Sequence, residues 1–189
     1  MIRVAIVGEI GSGKSYFANL FGYPVFNADK VVAKIYKKNK RCFNLIKKRL
    51  PNFFSSFPLK KKELIRCILS NKANLRVITK IIHPLVRNQM EIFIKKNKKK
   101  KIIVLDIPLF LENKLNKKND IIIFIQSPKV RINEKLKKRQ NYNKELVDKF
   151  RQVQWSLKKK KNKSNLIIKN NFKHKKAINS VNNILKKII

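Results

Sequence analysis

The sequence predicts a three-layer α/β fold, in which a parallel sheet carries helices on both faces, and three observations lead there. Apolar runs of strand length recur at residues 2–7, 102–105, 121–125 and 166–168, with a shorter extended piece at 24–26. Stretches of helical periodicity fill the intervals, the alternation expected of a parallel sheet covered on both sides. The third observation is the octapeptide Gly8-Glu9-Ile10-Gly11-Ser12-Gly13-Lys14-Ser15, which directly follows the first apolar run.

That octapeptide fits GxxxxGK[ST], a loop that wraps a polyphosphate. Gly8, Gly11 and Gly13 permit backbone conformations and close approaches that a Cβ would block, so main-chain N–H groups can point at phosphates. Lys14 then reaches the β- and γ-phosphates, and the Ser15 hydroxyl is the candidate Mg²⁺ ligand. A helix opening at about residue 14 adds the positive end of its dipole to the same spot. With a strand before it and a helix after it, the motif narrows the expectation to a P-loop NTPase fold with a five-stranded parallel sheet.

Residues 30–97 contain no strand pattern. Helical patterns cover 31–50, 61–71 and 75–82, and Pro84 starts a further helix to about residue 96. Residues 50–59, with Pro51 and Pro58, read as a loop anchored by apolar side chains. This segment is a helical insertion suited to holding a second substrate. After the strand ending at residue 125, Ser127 is a candidate N-cap with Pro128 at the first helical position. The helix so begun carries Arg131, Lys135, Lys138 and Arg139. A second runs from about Asn143 to about Trp155, and 157–163 is a lysine-rich connector. Residues 129–161 are read as a lid that brings cations over a nucleotide, with an ordinary solvated crossover as the alternative. Ala177, Ile178, Val181, Ile184, Leu185 and Ile188 recur at helical spacing, so the C-terminal stretch 174–189 covers one face of the sheet. The core thus comprises about 1–29, 98–128 and 162–189, in one domain.

The 189-residue chain is 43% hydrophobic, enough to bury a core. No window is long and apolar enough to span a bilayer, and the N-terminal apolar run lacks the basic leader of a signal peptide, so the expected location is cytoplasmic, without membrane association. Cys42 and Cys67 lack metal-ligand spacing and read as reduced and structural. A formal charge of +38 raises the question of nucleic acid. The lysines are spread through almost every segment rather than gathered beside aromatic residues, and Lys, Asn and Ile are abundant together, as AT-rich codons would produce. Compositional drift therefore competes with a polyanion surface, and no specific nucleic-acid partner is expected. Against this background the 10 acids are informative: Glu9, Asp29, Asp106 and Glu112 fall at predicted strand ends on one side of the sheet, where ligands of open α/β folds bind.

Phosphoryl transfer is catalysed mainly by positioning and charge neutralisation, and an acceptor hydroxyl also needs a destination for its proton. Asp29, at the exit of the second strand, is the candidate base; it could equally cap the helix that follows. Asp106 is a second candidate for Mg²⁺, through water.

The phosphate loop, Asn27-Ala28-Asp29 after the second strand, His83-Pro84, Asp106-Ile107-Pro108-Leu109-Phe110 after the third strand and Glu112-Asn113 together resemble dephospho-coenzyme A kinases over nearly the whole length. The resemblance implies transfer of the γ-phosphate of ATP to the ribose 3′-hydroxyl of dephospho-CoA, with Mg²⁺ as cofactor, in a monomer or weak oligomer. It implies ATP contacts at Gly11, Ser12, Gly13, Lys14, Ser15, Tyr16, Arg139 and Asn170, with Lys14, Asp29 and Arg139 catalytic and Gln154 in the lid. Asp29, His83, Pro108, Leu109 and Glu112 would hold the acceptor, although His83 before a proline also suits a helix boundary. The chain departs from the family pattern at Glu9, where a second glycine is usual, and at Asn27, Lys135 and Lys169, where an acid, an arginine and an aspartate are usual. Phe172 stands where a glycine is expected. Two alternatives remain at this level: a kinase for another small metabolite or nucleoside monophosphate, and an RNA-associated P-loop nucleotidase.

Overall fold

The computed structural model describes residues 1–140 and 142–189. It resolves into two compact units, Met1–Asn27 with Asn97–Ile189, and Ala28–Lys96.

The first unit is built on five parallel strands: β1 (Ile2–Gly8), β2 (Val25–Asn27), β3 (Ile102–Asp106), β4 (Ile121–Gln126) and β5 (Leu166–Lys169), in the order β2-β3-β1-β4-β5. Each matches an expected strand to within about a residue. β1 lies in the middle and β3 is buried along its whole length, because helices cover both faces. On one face Val4, Ile6, Val104, Ile123 and Ile125 pack with Phe17, Ala18 and Phe21 of α1 (Lys14–Leu20) and its exit, and with Ala177, Val181 and Ile184 of α9 (His174–Ile188). The apolar stripe expected for the C-terminal helix is the one that the sheet buries. Arg3 and Asp120 form a buried ion pair at 3.0 Å, beneath which burial still holds the Asp120 carboxyl above its usual value despite Arg3 and Lys117.

Between β4 and β5 run α6 (Lys129–Lys137), α7 (Lys144–Gln152) and α8 (Leu157–Asn162). Asn143 caps α7, its side chain accepting from Leu146 N at 2.8 Å, as its position suggested. Three expectations need correction. Ser127 is not the cap of α6: Pro128 occupies that position, and the Ser127 hydroxyl donates instead to Ser12 O at 2.9 Å. Lys138 and Arg139 lie beyond the end of α6, in a turn closed by Arg139 N to Leu136 O and Tyr142 N to Arg139 O. The lysine-rich connector is a helix, α8, because Ser156 caps it and Lys160 is 99% buried against acceptors of its own.

The second unit is helical: α2 (Ala28–Lys38), α3 (Lys40–Arg49), a 3₁₀ turn at Pro51–Phe53, α4 (Lys61–Ser70) and α5 (Lys72–Lys96). The single helix expected over 31–50 is two, because Asn39 leaves the helical conformation and its side chain accepts from Cys42 N at 2.8 Å, offering the backbone a cap in place of continuation. Conversely the boundary expected at Pro84 is absent: α5 runs through it, and His83 is a mid-helix residue. A proline there costs about 3 kcal/mol. Burial of Leu75, Ile78 and Ile82 before it and Met90 after it, with α2, α3 and α4 packed on the same helix, offsets that. Asp29 is the second residue of α2 rather than its N-cap, so it complements the helix dipole from the first turn.

Cys42 and Cys67 are buried and unpaired, and burial pushes the Cys42 thiol up to about 11 and raises Cys67 as well. At pH 8 the native protein should therefore leave both thiols unreacted toward an aromatic disulfide reagent, while both react in guanidinium. Fast labelling in buffer would show that the Ala28–Lys96 unit opens locally.

Candidate active site

The phosphate loop leaves the centre of the sheet at the carboxyl end of β1, where open α/β sheets bind ligands. Its backbone is held from two directions. Ser12 is fully buried, and its carbonyl accepts from Ser127 Oγ, just past β4, and from Asn170 Nδ2, just past β5, both at 2.9 Å. Two glycines are required by close approaches, one to a bracing side chain and one to the backbone of β4. A Cβ at Gly13 (φ 96°) would meet Asn170 Nδ2 at 2.9 Å, and one at Gly8 would meet Ile125 O at 2.7 Å. Gly11 lies against Leu136 of α6.

Lys14 is 9% exposed and its ammonium donates to the carbonyls of Gly8 (3.2 Å) and Glu9 (2.8 Å), inside the loop. A cation is thus already held inside the loop that would receive a polyphosphate. Ser15 is exposed at the start of α1. Tyr16, beside it, is 43% exposed and its hydroxyl hydrogen-bonds His174 Nδ1 at the start of α9. Asn170 is 4% exposed, and besides Ser12 it takes Phe172 N on its Oδ1 at 2.8 Å. Its side chain thereby holds the backbone of the phosphate loop.

Asp106 ends β3 in register with Ile6 and Asn27, and is 3% exposed. Asn27 Nδ2 donates to Asp106 Oδ2 at 2.6 Å. The amide that replaces the expected acid thereby gives a buried carboxylate a donor, where an acid would have repelled it. Pro108 and Leu109 lie in the turn that follows, closed by Phe110 N to Ile107 O and Asn113 N to Leu109 O, with the Phe110 ring wholly buried.

Glu112, just past the turn after β3, reaches α8 and the segment between α7 and α8. Its Oε1 pairs with Lys160 Nζ at 2.9 Å and accepts from Trp155 N at 2.9 Å, while Lys160 also donates to Gln154 Oε1 at 3.1 Å. These side chains fasten the α7–α8 corner to the loop after β3; Lys160 is indistinguishable from its exposed neighbours Lys159 and Lys161 in sequence. Arg139 is exposed in the turn after α6.

In the second unit, Asp29 is exposed in the first turn of α2. His83 is half-buried on α5, where burial and the Arg87 charge lower its pKa, so the ring is neutral at pH 7. Ser127 and Arg151 were missed in sequence. The first was read as a cap, and the second pairs with Glu9 at 3.0 Å, a contact with no local signal.

The groups that could hold Mg²⁺ are the Ser15 hydroxyl and the Asp106 carboxylate, hard oxygen ligands of the type that ion takes alongside substrate phosphates. Among the described residues no group of three or more His, Cys, Asp or Glu side chains forms a dedicated metal cage, and magnesium with ATP needs none.

Comparison with known proteins agrees with this arrangement. The chain is 32% identical over 187 residues to the dephospho-CoA kinase of Wolbachia pipientis wMel, covering 96% of this chain and 95% of the relative. A solved structure, TT1252 from Thermus thermophilus, superposes with a TM-score of 0.78 at 22% identity, covering 100% of this chain and 98% of that one. The dephospho-CoA kinase from Campylobacter jejuni superposes with a TM-score of 0.65 at 22% identity, covering 98% and 96%. Both likenesses establish the P-loop kinase fold. A model of the dephospho-CoA kinase family matches residues 2–176, and with the phosphate loop and strand ends described above, the chain belongs to that family of ATP-dependent phosphotransferases.

Proposed function

We propose that the chain phosphorylates the ribose 3′-hydroxyl of dephospho-CoA with the γ-phosphate of ATP, giving CoA and ADP. The observation that carries the reading is the pre-braced loop of Ser12, Lys14 and Ser15 at the head of β1, in a chain whose family match also runs through the helical unit and Asp29. Lys14 leaves the Gly8 and Glu9 carbonyls to neutralise the β- and γ-phosphates, and the α1 N-terminus supports the same charge. Ser15, with Asp106 beside it, would hold Mg²⁺, which would supply further positive charge to the polyphosphate when bound with ATP.

Asp29 takes the proton of the acceptor hydroxyl; support comes from its exposure and its place two residues after Asn27, which bonds Asp106. His83, neutral at pH 7, offers a hydrogen bond rather than a charge to the acceptor, and Pro108 and Leu109 shape its apolar side. Tyr16 and Asn170 border the nucleotide, and Arg139 supplies a lid cation. The Glu112–Lys160 pair makes acceptor binding by Glu112 an indirect effect through the α7–α8 corner. No helix among the described residues is long and apolar enough to cross a membrane, and we assign the reaction to the cytoplasm, where its co-substrate ATP is found.

The test is release of ADP from Mg·ATP by purified protein, with and without dephospho-CoA, with CoA followed by mass in the same tube. Stoichiometric CoA establishes the reaction; ADP without CoA redirects the search to other small acceptors, then to RNA. Lys14→Ala should lower kcat/KM by about a thousandfold or more. Asp29→Asn should lower kcat on the order of a hundredfold while ATP affinity changes little, and near-native turnover would return Asp29 to a helix-dipole role. Arg139→Ala should raise the KM for ATP about tenfold, and an unchanged dependence of rate on ATP would remove Arg139 from the nucleotide site.

A further inference from the structure

Glu9, the second residue of the phosphate loop, places a carboxylate in a segment that has to receive a polyanion. Its backbone carbonyl is already committed there, accepting from Lys14 Nζ at 2.8 Å and from Ser12 N at 3.1 Å. Its side chain turns to α7, where Oε1 lies 3.0 Å from Arg151 Nη2. Neither partner is free in water: the Glu9 side chain is 15% exposed and that of Arg151 36%. Arg151 is itself fixed by Asp148 at 3.3 Å, one turn earlier on the same helix, and its Nε is buried without a hydrogen bond. The guanidinium is thus held at Glu9 by geometry, so the pair loses less side-chain entropy than a freely solvated one would.

A fixed negative charge within a loop that receives a polyanion opposes binding, and partial burial limits the screening that salt would give an exposed group. We propose that Arg151 is a positioning residue for nucleotide binding: it cancels the charge of Glu9 and holds that side chain toward α7, so that the positive character of Lys14 and the loop amides reaches the polyphosphate undiminished. Arg151 acts through Glu9 and not on the phosphates. The lid helix α7 is thereby coupled to the affinity of the loop. The inference rests on the reading that this loop takes ATP, and it does not depend on which acceptor is used.

The experiment is equilibrium binding of a fluorescent ATP analogue with Mg²⁺ at fixed ionic strength, together with KM and kcat for ATP, in the full chain. Arg151→Gln should weaken binding about tenfold and raise KM by more than it lowers kcat. Arg151→Lys, which keeps the charge, should remain within about threefold of wild type. Glu9→Gln should tighten binding two- to threefold, because it leaves the Arg151 charge uncancelled by Glu9, and the double variant Glu9→Gln/Arg151→Gln, in which both charges are absent, should bind at least as well as wild type. Rescue in the double variant is the readout that a merely structural role for Arg151 would not give. If Arg151→Gln is too unstable to assay, Glu9→Gln and the double variant decide. A double variant as weak as Arg151→Gln, a Glu9→Gln variant weakened more than about fivefold, or an Arg151→Gln variant that binds as tightly as wild type or tighter would each overturn the proposal. Wild-type protein that binds no ATP analogue would overturn the ATP reading itself, and the proposal with it.

Discussion

The carbonyl of Ser12 is the point on which the nucleotide end of this molecule depends. It accepts one hydrogen bond from the residue after β4 and another from the residue after β5, so the conformation of the phosphate loop is set by strands on its far side as well as by β1. With β1 central, the loop leaving it is braced from the ends of β4 and, beyond it, β5 on one side and stands beside Asp106 of β3 on the other. Preorganisation of this kind matters for phosphoryl transfer, because a loop that had to order itself around each incoming nucleotide would spend binding energy on its own backbone.

Most of the fold was legible because burial on both faces forces a signature on the sequence. Strands such as Ile102–Asp106 are continuous apolar runs, and the glycine pattern of the loop has few other uses. What was not legible depended on partners distant in sequence. Nothing local distinguishes Lys160 from Lys159; only Glu112, 48 positions earlier, makes one of them a core residue. Pro84 carries a strong local signal for a helix start, and packing of α5 against three other helices overrode it. Asn39 shows the reverse, a local cap strong enough to divide a stretch whose periodicity alone reads as one helix. At the phosphate loop, Lys14 and Ser15 could be named from spacing, whereas Ser127 and Arg151 are defined only by what they reach.

The acids show how composition and architecture interact. In a chain with 48 basic residues and 10 acidic ones, a carboxylate has no shortage of cations, and surface pairs contribute little. The acids at the head of the sheet are different because each joins separate elements. Asp106 bonds β3 to the end of β2, Glu112 bonds the loop after β3 to α8, and Glu9 bonds the phosphate loop to α7. Arg3 and Asp120 do the same at the opposite end of the strands. The excess of lysine can vary widely without disturbing these links, so drift in the surface charge is tolerated while the few acids remain placed.

The departures from the family pattern are also absorbed locally. Asn27 supplies a donor to Asp106, so the pair keeps one negative charge in a buried place where two would compete for a proton. Phe172, where a glycine is usual, still adopts a left-handed φ of 62°, held by Asn170 Oδ1 on its own N–H and followed by Asn171 Oδ1 on Lys173 N. An L-residue in that region costs roughly 1–2 kcal/mol. The backbone keeps the turn that a glycine would have taken without strain because Asn170 is also the residue that braces Ser12, and relaxing the turn would draw its amide away from the phosphate loop. Lys135 of α6 lies 5.9 Å from the Phe172 ring centroid, so the two departures meet. The change at Phe172 is therefore constrained by the Ser12 carbonyl, through Asn170, while the change at Asn27 is absorbed by Asp106 alone.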